Sequence, residues 1–417
     1  MANTYLKRTG TTTVNTYTFS AWIKLGTLSS ANNTYQVLFS SGNQNILGIY
    51  GGPTASGYNA LYHYNNTNLW WTNNLLRDPN SWYHVLAKVS GGTVTTYING
   101  VQTSYATSTY SLGALETTTD KTCVGCYAPS ASSFFRGSMS HVHFISGTAY
   151  DPSAFGETDT TTGEWKGKTS PSVTYGNNGF FILKDGNGIT DQSGEGNNFT
   201  LGGGTLTDLK DNPDNTFATF NPLFVYSSGK KPAYSNGNNT ATFDNSGENE
   251  HSPSTLAPSS GKYYAEFKWV SSHGNAATGV GIFATDVNIN TDINAQSYLY
   301  MGNGQKRILN SSSSYGASWT TGDIISIALD CDNNTVTYYK NGASQGAISI
   351  ASDKNYYMYC TDYDNKVVNA NFGNGYFGTT AITTNSGNGY AGAEGASKFN
   401  YTVPTGYSAL STKGLNE

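Results

Sequence analysis

The stretch that decides the fold is residues 82–101, which contain the runs Trp82-Tyr-His-Val-Leu-Ala-Lys-Val and Thr93-Val-Thr-Thr-Tyr-Ile-Asn-Gly-Val. Both runs are rich in β-branched and aromatic residues, which suit the pleated surface of a sheet. A Gly-Gly break separates them, and Asn99-Gly100 is the strongest short signal for a two-residue hairpin turn. The stretch therefore predicts consecutive antiparallel strands joined by tight turns.

The same pattern extends outward through the first 160 residues. Tyr17-Thr-Phe-Ser-Ala-Trp-Ile-Lys alternates with period two, as a half-buried strand does. Further short runs follow at regular spacing, among them Gln36-Val-Leu-Phe and Ala60-Leu-Tyr-His-Tyr. The 417 residues include 31 Tyr and 48 Gly, a composition that favours many short strands with tight turns. The sequence lacks long amphipathic patterns of helical period.

A second β-rich segment begins near residue 222. Gly261-Lys-Tyr-Tyr-Ala-Glu-Phe-Lys-Trp alternates cleanly, and Thr335-Val-Thr-Tyr-Tyr-Lys-Asn-Gly ends in another Asn-Gly turn. Between the two segments lie Gly- and Asn-rich residues with phenylalanines that argue against a disordered linker. We therefore predict an all-β chain with two antiparallel β-sandwich (jelly-roll) domains in series, over 1–160 and 222–417. Residues 161–221 are predicted to form an ordered connector.

Four motifs of the first segment resemble a concanavalin A-like, laminin-G-type jelly roll. They are Phe19-Ser-Ala-Trp-Ile-Lys, Trp82-Tyr-His-Val, Tyr97-Ile-Asn-Gly-Val and Arg136-Gly-Ser-Met-Ser-His-Val-His-Phe. The resemblance implies a two-sheet sandwich. On this fold we expect Trp22 and Trp82 to be large core anchors on inward faces.

The second segment resembles a SPRY domain in the order of its motifs. The matching parts are Gly261 to Phe267, Gly279 to Phe283, the start at Trp319-Thr-Thr-Gly-Asp-Ile, and Tyr338 to Gly342. The loop surface of a SPRY domain normally recognises a protein partner, so the resemblance implies such a partner here.

Residues 135–222 resemble a stretch found repeatedly in structural proteins of marine tailed phages. The similarity rests on runs such as His143-Phe-Ile-Ser-Gly-Thr-Ala-Tyr-Asp-Pro, Thr161-Thr-Gly-Glu-Trp-Lys and Asp191-Gln-Ser-Gly-Glu-Gly-Asn-Asn-Phe-Thr. It implies a virion protein that is assembled in the host cytoplasm and released by lysis.

Within the virion, this resemblance favours a tail fibre or tail-associated adhesin that contacts a host-surface glycan or receptor through lectin-like sandwiches. The alternative is a capsid decoration or adaptor protein that docks other virion proteins. In either case we expect a homo-oligomer, because repeated copies multiply weak contacts.

Charge and hydropathy exclude two kinds of partner. The formal net charge is −5, and no basic stripe alternates with aromatic residues, so we expect no nucleic-acid binding. No apolar run approaches the 18 or so residues that a membrane span needs, so no span is expected.

No catalytic residue is predicted. Retaining glycosidases on this scaffold need two carboxylates about 5 Å apart, which a run such as E-x-D-x-x-E supplies from one strand. That run is absent from the sequence, and Glu266 stands alone on its strand as an expected outward-facing surface carboxylate. We therefore predict a non-enzymatic protein, with a polysaccharide-degrading enzyme as the least supported alternative.

Two sets of residues are candidate binding sites. Tyr62, Tyr64, Trp70 and Trp71 form an aromatic cluster on which sugar rings could stack, although alternation puts Trp70 and Trp71 on opposite faces and one of them in the core. Laminin-G-type jelly rolls often bind calcium, so the oxygen-rich turn of Asp330, Asp332 and Asn334 is the candidate calcium site. Ordinary turn chemistry is the alternative for these residues. No other cofactor is expected.

Overall fold

The protein is described by a computed structural model that covers residues 3–26, 28–29, 31–42, 45–52, 58–115, 121–184, 188–226, 230–244, 249–272, 274–288, 293–383, 391–393 and 395–416. The architecture is all-β, which confirms the predicted fold class. In the described ranges the helical elements are three short 3-10 turns, at Pro152–Ala154, Ile293–Gln296 and Gly414–Asn416. The chain divides into two compact units, Met1–Asp208 and Leu209–Glu417.

The strands of the first unit are β1 (Tyr5–Thr9), β2 (Tyr17–Leu25), β3 (Tyr35–Ser41), β4 (Asn45–Tyr50), β5 (Ala60–Tyr64), β6 (Leu69–Leu75), β7 (Trp82–Ser90), β8 (Thr93–Ile98), β9 (Val101–Gln102), β10 (Lys121–Val124), β11 (Gly137–Ser146), β12 (Gly156–Thr158), β13 (Trp165–Gly167), β14 (Phe180–Ile182) and β15 (Thr200–Gly203).

The first unit is a sandwich of two antiparallel sheets. One sheet has the strand order β15-β1-β10-β3-β4-β5-β6, and the other has the order β14-β11-β2-β7-β8-β9. The fold-deciding stretch gives β7, β8 and β9 as consecutive neighbours, and both of its turns take positive φ at their two central residues (57° and 82° at Gly91-Gly92, 48° and 77° at Asn99-Gly100). A type I′ turn requires this backbone geometry. The core between the sheets is built from alternate residues, such as Phe19, Ile23 and Ile49.

Trp22 and Trp82 are buried, but on the face of their sheet that points away from this core. Ile23 lies in the core, so alternation along β2 sends Trp22 to the opposite face. The β12–β13 hairpin covers that face, where the Trp165 indole N–H donates to His84 Nδ1 at 3.1 Å. The expectation that both tryptophans fill the core is therefore wrong, because a hairpin later in the chain buries the second face.

The predicted connector, 161–221, contributes strands to the first unit. β14 pairs with β11 and β15 pairs with β1, so the segment extends both sheets. Residues 161–208 belong to the first unit and residues 209–221 to the second.

The strands of the second unit are β16 (Ala233–Ser235), β17 (Thr240–Thr242), β18 (Glu250–Pro253), β19 (Lys262–Ser271), β20 (Gly279–Ala284), β21 (Ser297–Met301), β22 (Gln305–Ile308), β23 (Ser311–Ser314), β24 (Ile324–Asp330), β25 (Thr335–Lys340), β26 (Ala343–Ser349), β27 (Tyr356–Asp362), β28 (Val367–Asn371), β29 (Tyr376–Phe377), β30 (Thr380–Ala381) and β31 (Ser408–Ala409).

The second unit is also a two-sheet sandwich. One sheet runs β16-β17-β28-β19-β24-β25-β26, with β31 beside β19, and the other runs β18-β27-β20-β21-β22-β23. Its core includes Phe267, Trp269, Ile327, Tyr338 and Tyr356, all almost fully buried. Burying each such side chain contributes about 1.5–3 kcal/mol of hydrophobic stabilisation.

Candidate binding surfaces

The outer face of the seven-stranded sheet carries a cluster of aromatic rings, here called the aromatic face. Its members, drawn from β3 to β6 and one loop, are Tyr35, Tyr50, Tyr62, Tyr64, Trp71 and Tyr127. The ring centroids of Tyr35 and Tyr50 are 5.2 Å apart, and those of Tyr50 and Trp71 are 5.1 Å apart. Such spacings are typical of stacked and tilted aromatic contacts. The result is a preformed aromatic platform on one side of the sandwich.

A glycine in the neighbouring strand makes this packing possible. A Cβ added at Gly48 would lie 2.5 Å from the Tyr62 ring and 2.4 Å from the Gln36 carbonyl oxygen. No larger residue fits between them, so the Tyr62 ring lies directly against the backbone of β4. Tyr62 is buried, while Tyr35 is 38% exposed and forms the accessible rim of the face.

Three of the four predicted aromatic residues meet on this face. Tyr62, Tyr64 and Trp71 share it, whereas Trp70 points into the core and stacks on His63 at 5.6 Å. Sequence reasoning missed Tyr35, Tyr50 and Tyr127. Alternation along β4 could have found Tyr50, because Ile49 beside it is a core residue. Nothing in the sequence placed the loop residue Tyr127 here.

The aromatic face is electrically neutral. Burial and the neighbouring Tyr35 hydroxyl raise the pKa of Tyr50 to about 12, and burial raises the pKa of Tyr62 well above the usual value. These phenols therefore remain protonated at neutral pH and act as hydrogen-bond donors and acceptors. The Tyr50 hydroxyl already donates to the Asn33 side chain at 2.8 Å. Such a surface suits an uncharged ligand that stacks and accepts hydrogen bonds.

The candidate calcium turn lies between β24 and β25, and its two carboxylates already accept hydrogen bonds from nearby backbone N–H groups. The Asp330 carboxylate accepts the backbone N–H of Asn333 at 2.9 Å and pairs with Lys262 at 3.1 Å. Burial raises the pKa of Asp330, but these contacts outweigh burial and leave that pKa below its usual value. Asp332 accepts the Gly261 N–H at 2.7 Å, and Asn334 has the φ of 54° common for Asn in turns.

The turn is thus explained by its own bonds, and calcium binding there stays a prediction. In the described ranges, no group of three or more His, Cys, Asp or Glu side chains has a geometry that could hold a metal ion. None of the helices found in those ranges is long and apolar enough to cross a membrane.

Three loops of the second unit are bonded together into one surface, here called the loop surface: residues 274–278, 302–304 and 315–321. Backbone bonds tie the loops together. Gly302 N–H donates to the Thr278 carbonyl at 2.9 Å, and Trp319 N–H donates to the Gly302 carbonyl at 2.8 Å. The Ala317 N–H donates to the Gln345 side chain at 2.9 Å. The loops are therefore fixed relative to one another before any partner binds.

Glycines at the centre of the loop surface allow this close approach. Gly304 has φ +87°, and a Cβ there would lie 2.6 Å from the Gly316 carbonyl oxygen. A Cβ on Gly302 would lie 2.9 Å from the Asn275 nitrogen. The exposed residues around these glycines are small and polar or small and apolar: Ala276, Asn303, Ala317, Ser318 and Thr320.

Glu266 is fully buried, which corrects the expectation of a surface carboxylate. It lies on the outer face of β19, but the segment 398–401 crosses that face. The backbone N–H groups of Asn400 and Tyr401 each donate to its carboxylate at 2.8 Å, and the Asn371 side chain donates at 3.2 Å. Burial raises the pKa of Glu266 to about 7, although these bonds lower it. The Tyr264 hydroxyl also donates to this carboxylate, at 3.4 Å. Glu266 therefore ties residues 400 and 401 to β19 and β28, which is a structural role.

Comparison with known proteins identifies a domain in each unit. Residues 2–151 match the model of the concanavalin A-like lectin/glucanases superfamily, and residues 262–375 match the SPRY domain model. The chain thus combines a concanavalin A-like domain with a SPRY domain, as the sequence motifs predicted.

The curated proteins similar to this chain include Ran-binding proteins of animals. Ran-binding protein 9 of Homo sapiens is 36% identical over 118 residues, which cover 27% of this chain and 16% of the relative. Ran-binding protein 9 of Danio rerio is 35% identical over 118 residues, covering 27% of this chain and 20% of the relative. The chain therefore spans a fifth or less of the length of these relatives.

Among solved structures, the SPRY domain of human HERC1 is similar at 22% identity. The similarity covers 32% of this chain and 87% of that domain, with a TM-score of 0.28.

These relatives show that the prediction of a phage virion protein is wrong. The tail-fibre, adhesin and capsid-decoration interpretations are wrong with it, as are virion and host-surface partners, a virion homo-oligomer and virion localisation. The physical reason lies in residues 135–222. The described residues of this stretch up to Asp208 form strands and a hairpin of the first unit, and the turn residues that such packing needs are common to β proteins of any source.

Proposed function

We propose that this chain is a non-enzymatic binding protein whose SPRY domain recognises a polypeptide partner at the loop surface. The observation that carries the proposal is the SPRY match over 262–375, which includes all three loops of that surface. The pre-fixed backbone supports the proposal, because a rigid surface loses little conformational entropy on binding. The similarity to Ran-binding proteins supports it further and makes Ran one partner to test.

The test is a selection with the full chain as bait. A yeast-displayed library of random 12-residue peptides and purified Ran are each offered to the immobilised protein. We expect enrichment of one peptide motif, or saturable binding of Ran, and loss of that binding in the variant Ser318→Glu. Ser352→Glu, an exposed serine outside the loop surface, is the matched control and should bind as the wild type does. No peptide enrichment over an unrelated β-sandwich bait, together with no saturable binding of Ran, would overturn the proposal.

We propose a second, separate binding role for the aromatic face. The observation that favours it is the stack of Tyr35, Tyr50 and Trp71, which presents ring surface without a charged side chain among its members. Uncharged ligands with a flat apolar side would quench the fluorescence of Trp71 on binding. Trp71→Phe should remove that quenching, whereas unchanged quenching in this variant would contradict the role.

A further inference from the structure

In the part of the second unit that the structure describes, β23 is the one regular, exposed edge among the four edge strands of the two large sheets. Those strands are β16, β18, β23 and β26. Sheet edges present unpaired N–H and C=O groups, and proteins normally protect them with short strands, Pro, charge, bulges or burial. Three of the four edges carry such protection in the described ranges.

The three protected edges are protected in different ways. β16 has only three residues, and β18 is buried and ends in Pro253. β26 has a register shift against β25 and contains Gly346 with φ +103°, which bends the strand away from a regular edge. By contrast, β23 pairs with β22 without a register shift, and its four residues are all exposed serines. It therefore offers a flat, uncharged backbone edge to solvent.

Two cationic side chains belong to β22, the strand next to this edge. Lys306 is opposite Ser313 and Arg307 is opposite Ser312, so the two cations are on opposite faces of the hairpin. The Lys306 ammonium lies 5.5 Å from the Tyr315 ring, and Arg307 bonds the Ala276 carbonyl at 3.4 Å. The ion pairs found in the described ranges involve other lysines, such as Lys340, Lys262 and Lys354, and neither Lys306 nor Arg307.

The small serines allow these cations to act on a neighbouring strand. A strand added to β23 would lie about 4.8 Å beyond it. Because serine side chains are short, the long side chains of Lys306 and Arg307 can pass over them towards carboxylates on that added strand. A second copy of this chain would instead bring two like-charged pairs together, which is unfavourable across strands.

We propose that β23 binds an extended acidic peptide as an additional strand, with adjacent acidic residues facing Lys306 and Arg307. The backbone edge supplies affinity through main-chain hydrogen bonds, and the two cations supply preference for acidic side chains. This inference rests on the proposed polypeptide-binding function of the second unit, and it names the chemistry of the partner.

The test uses the peptides enriched by the full chain in the display selection, made synthetically with a fluorescent label. We expect adjacent Asp or Glu residues in the motif, and anisotropy titrations should show at least tenfold weaker binding by Ser312→Pro, which removes an outward-facing edge N–H, and by Lys306→Glu/Arg307→Glu. N-methylation of alternate peptide nitrogens should weaken binding similarly, because it removes strand hydrogen bonds. The double charge variant alters only partly exposed side chains, so it remains informative if the proline variant misfolds.

The outcomes separate the two proposals. Enriched peptides without adjacent acids, or peptides whose binding is lost in Ser318→Glu but unchanged in both edge variants, would overturn the β23 inference and leave the proposed function standing. A selection that enriches no peptide would overturn the β23 inference, and the absence of saturable Ran binding as well would overturn the proposed function. The control Ser352→Glu should bind every enriched peptide with wild-type affinity.

Discussion

Trp70 and Trp71 are neighbours in the chain but face opposite sides of β6. Trp70 is fully buried against His63, whereas Trp71 is partly exposed on the aromatic face. Trp70→Ala leaves a core cavity, so we expect it to lower the free energy of unfolding by about 3–5 kcal/mol. Trp71→Ala should cost less than about 1 kcal/mol. Chemical denaturation of both variants measures the difference, and equal losses would contradict the assignment of the two faces.

Glu266 makes the stability of the second unit depend on pH. Its pKa is raised by burial from the usual 4.5 to about 7 in the folded protein. Between pH 4.5 and 7 the folded state therefore keeps a proton on Glu266 that the unfolded state has released. The stabilisation that this proton gives is fully present below pH 4.5 and is lost as the pH rises through 7. We expect the stability difference between wild type and Glu266→Gln to fall by about 2–3 kcal/mol from pH 5 to 8.

Denaturant unfolding at several pH values measures this dependence. The variant is also expected to be less stable than the wild type at pH 5, because a Gln amide cannot accept both backbone N–H groups of Asn400 and Tyr401. Glu157→Gln, at an exposed glutamate, is the matched control and should track the wild type. A wild-type-minus-variant difference that is flat from pH 5 to 8 would rule out a raised pKa.

Individual residues also show which features the local sequence pattern cannot predict. Alternation correctly places Trp70 and Trp71 on opposite faces of the strand. It cannot tell which of the two faces points into the core. Alternation also places Glu266 on the outer face, yet its cover comes from Asn400, which lies 134 residues further along the chain. Trp22 fails in the same way, because the hairpin that buries it follows more than 130 residues later. Burial by distant segments is not encoded in local pattern.

At the scale of elements, the turns were the most predictable feature. Asn99-Gly100 and Asn341-Gly342 each form a two-residue hairpin with positive φ at both positions, as their residue types predict. The loop surface was less predictable. Its shape depends on backbone bonds between loops that are distant in sequence, and the glycines that permit those bonds carry no special motif.

Gly304 tests how strictly the loop surface depends on this packing. Gly304→Ala places a Cβ 2.6 Å from the Gly316 carbonyl in addition to the strain of φ +87°. Gly322 has a similar φ of +90°, but no neighbouring atom lies within 4 Å of a Cβ there, so Gly322→Ala reports the backbone strain alone. We expect the control to cost about 1–2 kcal/mol in unfolding free energy, and Gly304→Ala to cost more.

Thermal unfolding of the two variants provides the comparison. Gly304→Ala should also weaken the binding of any loop-surface ligand, because the loops must move apart to accept the new methyl group. Gly322→Ala should leave that binding unchanged. Identical melting temperatures for the two variants would show that the loops tolerate the added group, contrary to the rigid surface described above.

At the scale of the whole molecule, two β-sandwiches follow from strand spacing, alternation and turn residues, which are local and physical signals. The source of the protein and its partners did not follow from these signals. Residues 135–222 resemble phage proteins because they share hairpin-forming runs such as Thr161-Thr-Gly-Glu-Trp-Lys, and such runs specify packing on a sheet rather than a source or a partner. Relatives from animals corrected that interpretation.

The central claim is that the second unit binds a polypeptide through the loop surface of its SPRY domain. The most direct test is a titration of the display-enriched peptide, or of Ran, against the full chain and two variants, Ser318→Glu and Ser352→Glu. The account predicts saturable one-to-one binding that falls at least tenfold in Ser318→Glu and is unchanged in Ser352→Glu. Equal affinity for wild type and both variants would contradict it, since the ligand would then bind outside the loop surface.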